Sequence, residues 1–175
     1  MQIERERRFK IKYLPDLSKC EKKQIIQNYL YKDSFTSCRK RKIICNNKTK
    51  YIYTCKCKAT SEIGTTAEIE TEISKEKYDS LGNGYGRQIV KDRYLYKLDE
   101  GIVAEIDIFK GEFYGIGLVE VEFKNKIQAD NFAIPDWFGE EIKGKLNCNI
   151  KWSNSRLAKM TDWQIARVKE ELKVK

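Results

Sequence analysis

The sequence predicts a mainly β fold of the α+β class: an eight-stranded antiparallel barrel, closed on itself, charged inside, with a few helices packed outside. Three observations carry this. First, charge recurs at period two in seven strand-like segments, namely Glu4/Glu6/Arg8, Arg39/Arg41, Lys56/Lys58, Glu68/Glu70/Glu72, Lys91/Arg93, Glu105/Asp107 and Glu120/Glu122. Alternate side chains of a strand leave the same face, so each row charges one face of one strand. Second, the opposite faces often carry Ile69, Ile106, Ile108, Val119, Val121 and Phe123, an outer surface for helices to cover. Third, the sign of charge changes from strand to strand, whereas a solvated face of an open sheet mixes signs. A bore of this kind suits something highly anionic together with metal cations.

The elements follow in order. Residues 3–12 read as a strand, broken at Leu14-Pro15-Asp16. Leu17 to Lys23 is expected as a short helix, with Asp16 or Ser18 as its cap. Gln24 to Tyr31 is a strand rich in β-branched and aromatic residues. Ser37 to Ile44 and Lys50 to Lys58 form a hairpin around Asn46-Asn47, a pair tolerant of left-handed geometry. Thr65 to Ile73 is the next strand, and Ser74 caps a helix running to about Leu81, ended by Gly82-Asn83-Gly84. Gln88 to Lys97 and Ile102 to Phe109 make a second hairpin around Asp99-Glu100-Gly101. Gly117 to Phe123 is a strand, and Asn125 to Phe132 a short helix stopped by Pro135. An amphipathic helix over about 162–173 ends the chain, with Trp163, Ile165, Ala166, Val168 and Leu172 as its apolar side. No linker, long repeat or low-complexity segment divides residues 1–175, so a single domain is expected.

Composition narrows the chemistry. The net charge of +9 favours anionic partners without choosing among them. The chain has no histidine, which removes the usual general base, the usual metal ligand and any Ser-His or Cys-His pair. Catalysis must therefore run on carboxylates, Lys, Arg, Tyr and bound metal. Cysteines 20, 38, 45, 55, 57 and 148 match no common zinc spacing, and are read as reduced, small buried hydrophobes of a cytoplasmic protein. Neither a secretory leader nor a run of 18 apolar residues is visible, so no membrane partner is expected.

If the charged faces meet, Arg39, Arg41, Lys56, Lys91 and Arg93 ring a polyanion, with guanidinium forks taking phosphate oxygens in pairs. Carboxylates in the same bore need a bridging cation, and Mg²⁺ or Mn²⁺ accepts carboxylate, water and phosphate oxygen without histidine. Glu4, Glu6, Glu120 and Glu122 are the metal candidates. Such an outfit suits phosphoryl transfer, where positioning and charge neutralisation lower the barrier.

Beyond composition, the N-terminal I-E-R-E-R-R-F is similar to the E-x-E-x-K signature of the CYTH superfamily, the triphosphate tunnel metalloenzymes. Collinear matches follow at Q-N-Y-L (27–30), R-K-R (39–41), T-C-K (54–56), E-I-E-T-E-I (68–73), K-D-R-Y (91–94), A-E-I-D-I-F-K-G (104–111), L-V-E-V-E-F (118–123), I-P-D-W-F-G-E-E-I (134–142) and K-W-S-N-S-R-L-A (151–158). The resemblance implies a triphosphate tunnel that takes a linear triphosphate and one or two divalent metals. It implies metal-side carboxylates at Glu4, Glu6, Glu120 and Glu122, and phosphate contacts at Arg8, Arg39, Arg41, Lys56, Lys91, Arg93 and Lys151. Glu68, Glu70 and Asp107 would ligate metal, orient water or anchor basic neighbours, and with Glu4, Glu6 and Arg8 make up the expected catalytic set.

The chain departs from the family pattern in places. Arg8 stands where the signature has lysine, Arg5 at a position often apolar, and Thr66 where a basic residue usually precedes the central E-x-E. Lys58 or Arg87 could supply the missing contact. Lys58, Glu72 and Glu105 could equally be solvated or paired at a tunnel mouth, and Tyr51, Tyr53, Tyr94 and Tyr96 are expected to pack or line a rim. Trp137 and Trp152 are expected to be structural, and Lys169 to Lys175 a solvated helix end.

The leading expectation is a metal-dependent triphosphatase acting on inorganic tripolyphosphate, a monomer or homodimer with no nucleic-acid partner. The same fold also admits a class IV adenylate cyclase or thiamine triphosphatase. A non-catalytic nucleotide or polyphosphate binder and a nucleic-acid-binding barrel are the alternatives from other classes.

Overall fold

The computed structural model describes the backbone of residues 2–58, 66–98, 101–144 and 146–174, and their side chains except those of residues 2–4, 58 and 66. Nine strands form one antiparallel sheet: β1 (Gln2–Ile11), β2 (Glu21–Lys32), β3 (Thr36–Cys45), β4 (Lys48–Lys58), β5 (Thr66–Glu72), β6 (Tyr85–Lys97), β7 (Val103–Phe109), β8 (Gly117–Phe123) and β9 (Phe138–Glu141). Their spatial order is β5-β4-β3-β2-β6-β7-β8-β1-β9, with a further β5–β1 pairing. That pairing, Gln2↔Glu68, Ile3↔Ala67 and Glu4↔Thr66, brings the two ends of an eight-stranded ring together across a short seam. The small β9 extends the sheet on β1, beyond that seam.

Local chemistry accounts for most boundaries. Asn46 and Asn47 both have positive φ, 48° and 60°, as a tight two-residue hairpin turn requires. Helix α1 (Lys75–Ser80) begins where the Ser74 hydroxyl accepts from the Lys77 N–H. In α2 (Lys126–Asp130) Asn125 does the same for Gln128. The short α3 (Asn154–Leu157), capped by Ser153, precedes α4 (Asp162–Glu171), which starts on a full capping box between Thr161 and Gln164. Gly84, with φ +68°, abuts the carbonyl of Tyr29, where any Cβ would collide, so β6 can enter close against β2. The turn residues Asp99 and Glu100 lie outside the described residues.

Two apolar clusters brace the barrel. Outside β1, β7 and β8, Phe9, Ala104, Ile106, Val119, Val121 and Phe123 pack with Trp137 and Phe138, and Phe132 joins them. At one end, the inward rows that carry charge elsewhere continue as Tyr29, Ile89, Phe109 and Leu118. These merge with Trp152, Leu157, Ile165, Val168 and Leu172 into a second core. The C-terminal helices thereby stop the bore at that end.

Glu171 ties α4 down. It accepts the backbone N–H groups of Asn147 and Cys148 and pairs with Lys10 at 2.8 Å. Although partial burial works against its charge, these contacts hold its carboxyl down at about 2.

Several expectations are corrected. Leu17 to Lys23 is not a helix. Asp16 accepts the Ser18 N–H in a single turn, and Glu21 already pairs with Leu95 at the start of β2. Seven residues behind a proline carry too little helical propagation to outweigh the eight-pair ladder that β2 makes with β6. In α4 the buried stripe is Ile165 and Val168, continued by the C-cap residue Leu172; Trp163 is 68% exposed, and Ala166 is exposed too. Ile69 is 62% exposed, so among the described residues no helix covers that part of β5. The cysteines are not all reduced: Cys38 and Cys55 form a disulfide across β3–β4, leaving Cys20, Cys45, Cys57 and Cys148 free. The sequence pattern does not predict strand β9 or helix α3. Trp137 and Trp152 are buried, in keeping with structural roles. Among the described residues, no helix is long and apolar enough to cross a membrane.

Candidate functional site

The inward rows surround a cavity of about 600 Å³. Each strand contributes by parity. From β1 come Glu6 and Arg8, from β3 Arg39 and Arg41, from β4 Lys56, and from β5 Glu68 and Glu70. Strand β6 adds Lys91 and Arg93, β7 Glu105, and β8 Glu120 and Glu122. Residues separated by more than a hundred positions thus face one enclosed space. The side chains of Glu4, Lys58 and Thr66 lie outside the described residues.

Charges are distributed in two groups. On the β6–β7–β8–β1 side, Asp107 is fully buried beneath the cavity wall, where it pairs with Lys91 and accepts both Nε and Nη2 of Arg93 at 2.7 Å. Arg93 also reaches Glu105 and, at 2.9 Å, Glu120. Arg8 completes the chain, donating Nε to Glu120 at 3.0 Å and pairing with Glu6. Burial opposes the charge of Arg93, but Asp107, Glu105 and Glu120 outweigh it and hold the guanidinium well above its ordinary pKa. Lys91 is pushed the other way, by burial and by Arg93, so its ammonium is held at a cost that Asp107 only partly offsets. Glu120 stays ionised far below the usual carboxylate range, because Arg8, Lys91 and Arg93 overcome its burial.

The second group lies on β3, β4 and β5. Lys56 meets Glu68 at 2.6 Å and Arg39 stands 3.9 Å from the same carboxylate. Arg41 pairs with Glu70 and donates to Thr54 Oγ1 at 3.0 Å. Burial, then the proximity of Arg39, lowers Arg41 to about 10, with Glu70 opposing. The Nε groups of Arg39 and Arg41 are buried and, among the described residues, lack a hydrogen-bond partner. A buried donor left unpaired costs free energy. Two of them in a cationic wall create a demand for an acceptor, and a phosphate oxygen meets it.

Glu6 and Glu122 are direct cross-strand partners, as are Arg8 and Glu120. Like charges placed opposite one another repel, so the Glu6/Glu122 pair suits a bound cation. The donor set is carboxylate oxygen without imidazole or thiolate, which matches a hard divalent ion. Among the described residues, no three His, Cys, Asp or Glu side chains already stand grouped for an ion.

Other candidates fall elsewhere. Lys151 is exposed and does not line the cavity. Arg87 is also outside it, joined to Glu112 and, at 2.6 Å, to Asp162. Glu72 pairs with Lys50 at 3.1 Å on an exposed edge, whereas Glu105 does face the bore. Tyr51 packs 4.9 Å from Tyr78 and Tyr96 packs 5.3 Å from Trp137, both as packing residues. The wall further includes Lys23, Ile25 and Gln27 of β2, Ile43 and Asn154. Of these, Lys23 falls at the end of the helix expected over Leu17 to Lys23, while Ile25 and Gln27 lie on the expected strand but carry no charge to mark their face as the inward one.

No protein-family model matches the chain. A stretch of 76 residues is 40% identical to the inorganic triphosphatase of Nitrosomonas europaea, covering 43% of this chain and 50% of that protein. The match therefore spans half the length of that curated relative. Likeness to the crystal structure of the inorganic triphosphatase NE1496 extends further: 30% identity, a TM-score of 0.61, 92% of this chain and 97% of that one. The PH1819 protein from Pyrococcus horikoshii OT3, at 22% identity and a TM-score of 0.51 over 72% of this chain and 82% of that one, shares the fold. Nearly complete coverage of a 30%-identical relative, joined to a closed ring of strands with a charged bore, means that the chain belongs to the CYTH superfamily of triphosphate tunnel metalloenzymes.

Proposed function

We propose that the chain is a divalent-metal-dependent triphosphatase that cleaves inorganic tripolyphosphate into diphosphate and phosphate. The observation that carries this reading is the cationic wall of Arg39, Arg41 and Lys56, with its two unpaired guanidinium N–H groups, facing a bore that also holds carboxylates. The likeness to a protein named inorganic triphosphatase supports the same substrate. Of the donors, Glu6, Glu120 and Glu122 fit Mg²⁺ or Mn²⁺, and Glu4 is included on sequence grounds. When bound, such an ion neutralises phosphate charge and orients a water.

The chain's own residues do the rest. Arg39, Arg41 and Lys56 grip phosphate oxygens and fix the phosphate chain in line for attack. Arg8 and Arg93 face the charge that builds up as the bond breaks. Asp107 and Glu105 act as positioning residues that lock the Arg93 fork. The water oxygen forms a new bond to the terminal phosphorus while the bond to the bridging oxygen breaks. The electron pair of the broken bond leaves with diphosphate, and the proton of the water passes to an oxygen of the phosphate chain. Glu120, clamped by cations in its ionised form, is a poor proton acceptor and serves as a fixed negative charge. Lys151 has no part in this scheme.

Phosphorus NMR of purified protein with tripolyphosphate and Mg²⁺ or Mn²⁺ tests the proposal. The expected result is phosphate and diphosphate in equal amounts. A parallel incubation with ATP separates the alternatives, since cyclic AMP as product would replace the hydrolase with a cyclase. Absence of any turnover with either ion would leave only a binder.

A further inference from the structure

The disulfide lies directly behind the anion-binding wall. Cys38 and Cys55 are cross-strand partners on the outer face of β3–β4. Arg39 follows Cys38 and Lys56 follows Cys55, so both point inward from the bridged pair, and both approach Glu68. The β3–β4 ladder stops close by. Its last pair is Thr36↔Cys57 and the one before is Ser37↔Lys56, so Lys56 sits one step from the end of the ladder. Ladder ends open more readily than their middles. The bridge is the next pair inward, where it stops such opening from reaching Arg39.

We propose that the Cys38–Cys55 disulfide is a reducible clamp that sets how tightly Arg39 and Lys56 hold the anion. Reduction by a dithiol is a balanced exchange. A reductant thiolate attacks one bridge sulfur, the S–S bond breaks, and a mixed disulfide forms. The second reductant thiol then displaces the protein sulfur, leaving two protein thiols and a cyclic disulfide. Two electrons pass from the dithiol to the bridge. Cys55 is only half buried, so a small reductant has access. With the bridge open, β3 and β4 can part at this end of their ladder while β2 still holds Arg39 and β5 still holds Lys56, and the two side chains must be brought together again when the anion binds. Ordering side chains and the backbone beneath them weakens binding by about three- to tenfold. The clamp rests on the triphosphate reading for its ligand but not for its mechanics.

Two measurements keep those separate. Tripolyphosphate is titrated calorimetrically into oxidised protein and into protein reduced with dithiothreitol, with the bridge state read by mass. Amide hydrogen exchange is followed over residues 36–39 and 54–57 in both forms. The clamp predicts about three- to tenfold weaker binding and faster exchange on reduction. Cys38→Ser/Cys55→Ser should behave as reduced protein under all conditions, while Cys57→Ser keeps the wild-type response. Unchanged affinity and exchange after the bridge opens would overturn the clamp, as would a reductant effect that survives in Cys38→Ser/Cys55→Ser. If oxidised protein binds no tripolyphosphate, the substrate assignment fails, and the exchange data alone decide the clamp.

Discussion

Arg41→Ala is expected to cut tripolyphosphate turnover by about a hundredfold while leaving the protein at least as stable as before. The two effects separate because Arg41 holds its charge at a cost. It is buried beside Arg39, and its guanidinium is lowered to about 10 despite the Glu70 partner. Arginine does not give up its proton in proteins, so the depression marks a poorly solvated charge rather than a titration. A bound phosphate oxygen would relieve it. Removing Arg41 takes away that grip and the unpaired Nε together, and Glu70, 45% exposed, falls back on water. A urea midpoint and a phosphate-release rate on the same preparation check both halves. A protein that loses activity only by unfolding would contradict the separation.

Asp107→Asn has the opposite profile. Asp107 is fully buried and holds Lys91 and both Nε and Nη2 of Arg93. Neutralising it leaves the buried Lys91 ammonium, already unfavourable, without its main anion. Breaking one side of a buried ion pair costs about 3–5 kcal/mol, a large share of the stability of a domain this size. The urea midpoint should therefore fall sharply, and activity with it. A shift of under about 1 kcal/mol would show that Glu105 and Glu120 can neutralise the cluster unaided.

Much of this barrel is legible in the chain because its inner face is charged. Ordinary barrels hide their interior in apolar alternation shared with the outer face, whereas Glu68, Glu70, Lys91 and Arg93 mark the inner parity outright. Which charge meets which is not legible. The contact of Arg93 with Asp107, Glu105 and Glu120 depends on the register of three strands. In the row Lys23, Ile25 and Gln27, a helix reading based on capping at Asp16 hides only Lys23, and the uncharged Ile25 and Gln27 give no sign of which face turns inward. The disulfide had a usable signal. Once Asn46-Asn47 is a two-residue turn, the pair Cys45↔Lys48 fixes every later pair, and Cys38 falls opposite Cys55. Reading the cysteines by compartment alone discarded it. Strand β9 is only four residues long, too short for alternation to register against its neighbours.

In the proposed mechanism, carboxylates and cations of distant strands act together on one triphosphate inside the bore. Steady-state phosphate release from tripolyphosphate, with Mg²⁺ or Mn²⁺ and after chelation, tests it most directly in wild type and Glu6→Gln/Glu122→Gln. Ion-dependent release in the wild type and a loss of at least about a hundredfold in the double variant are predicted. Equal release after chelation, or full turnover with both glutamates replaced, would contradict it.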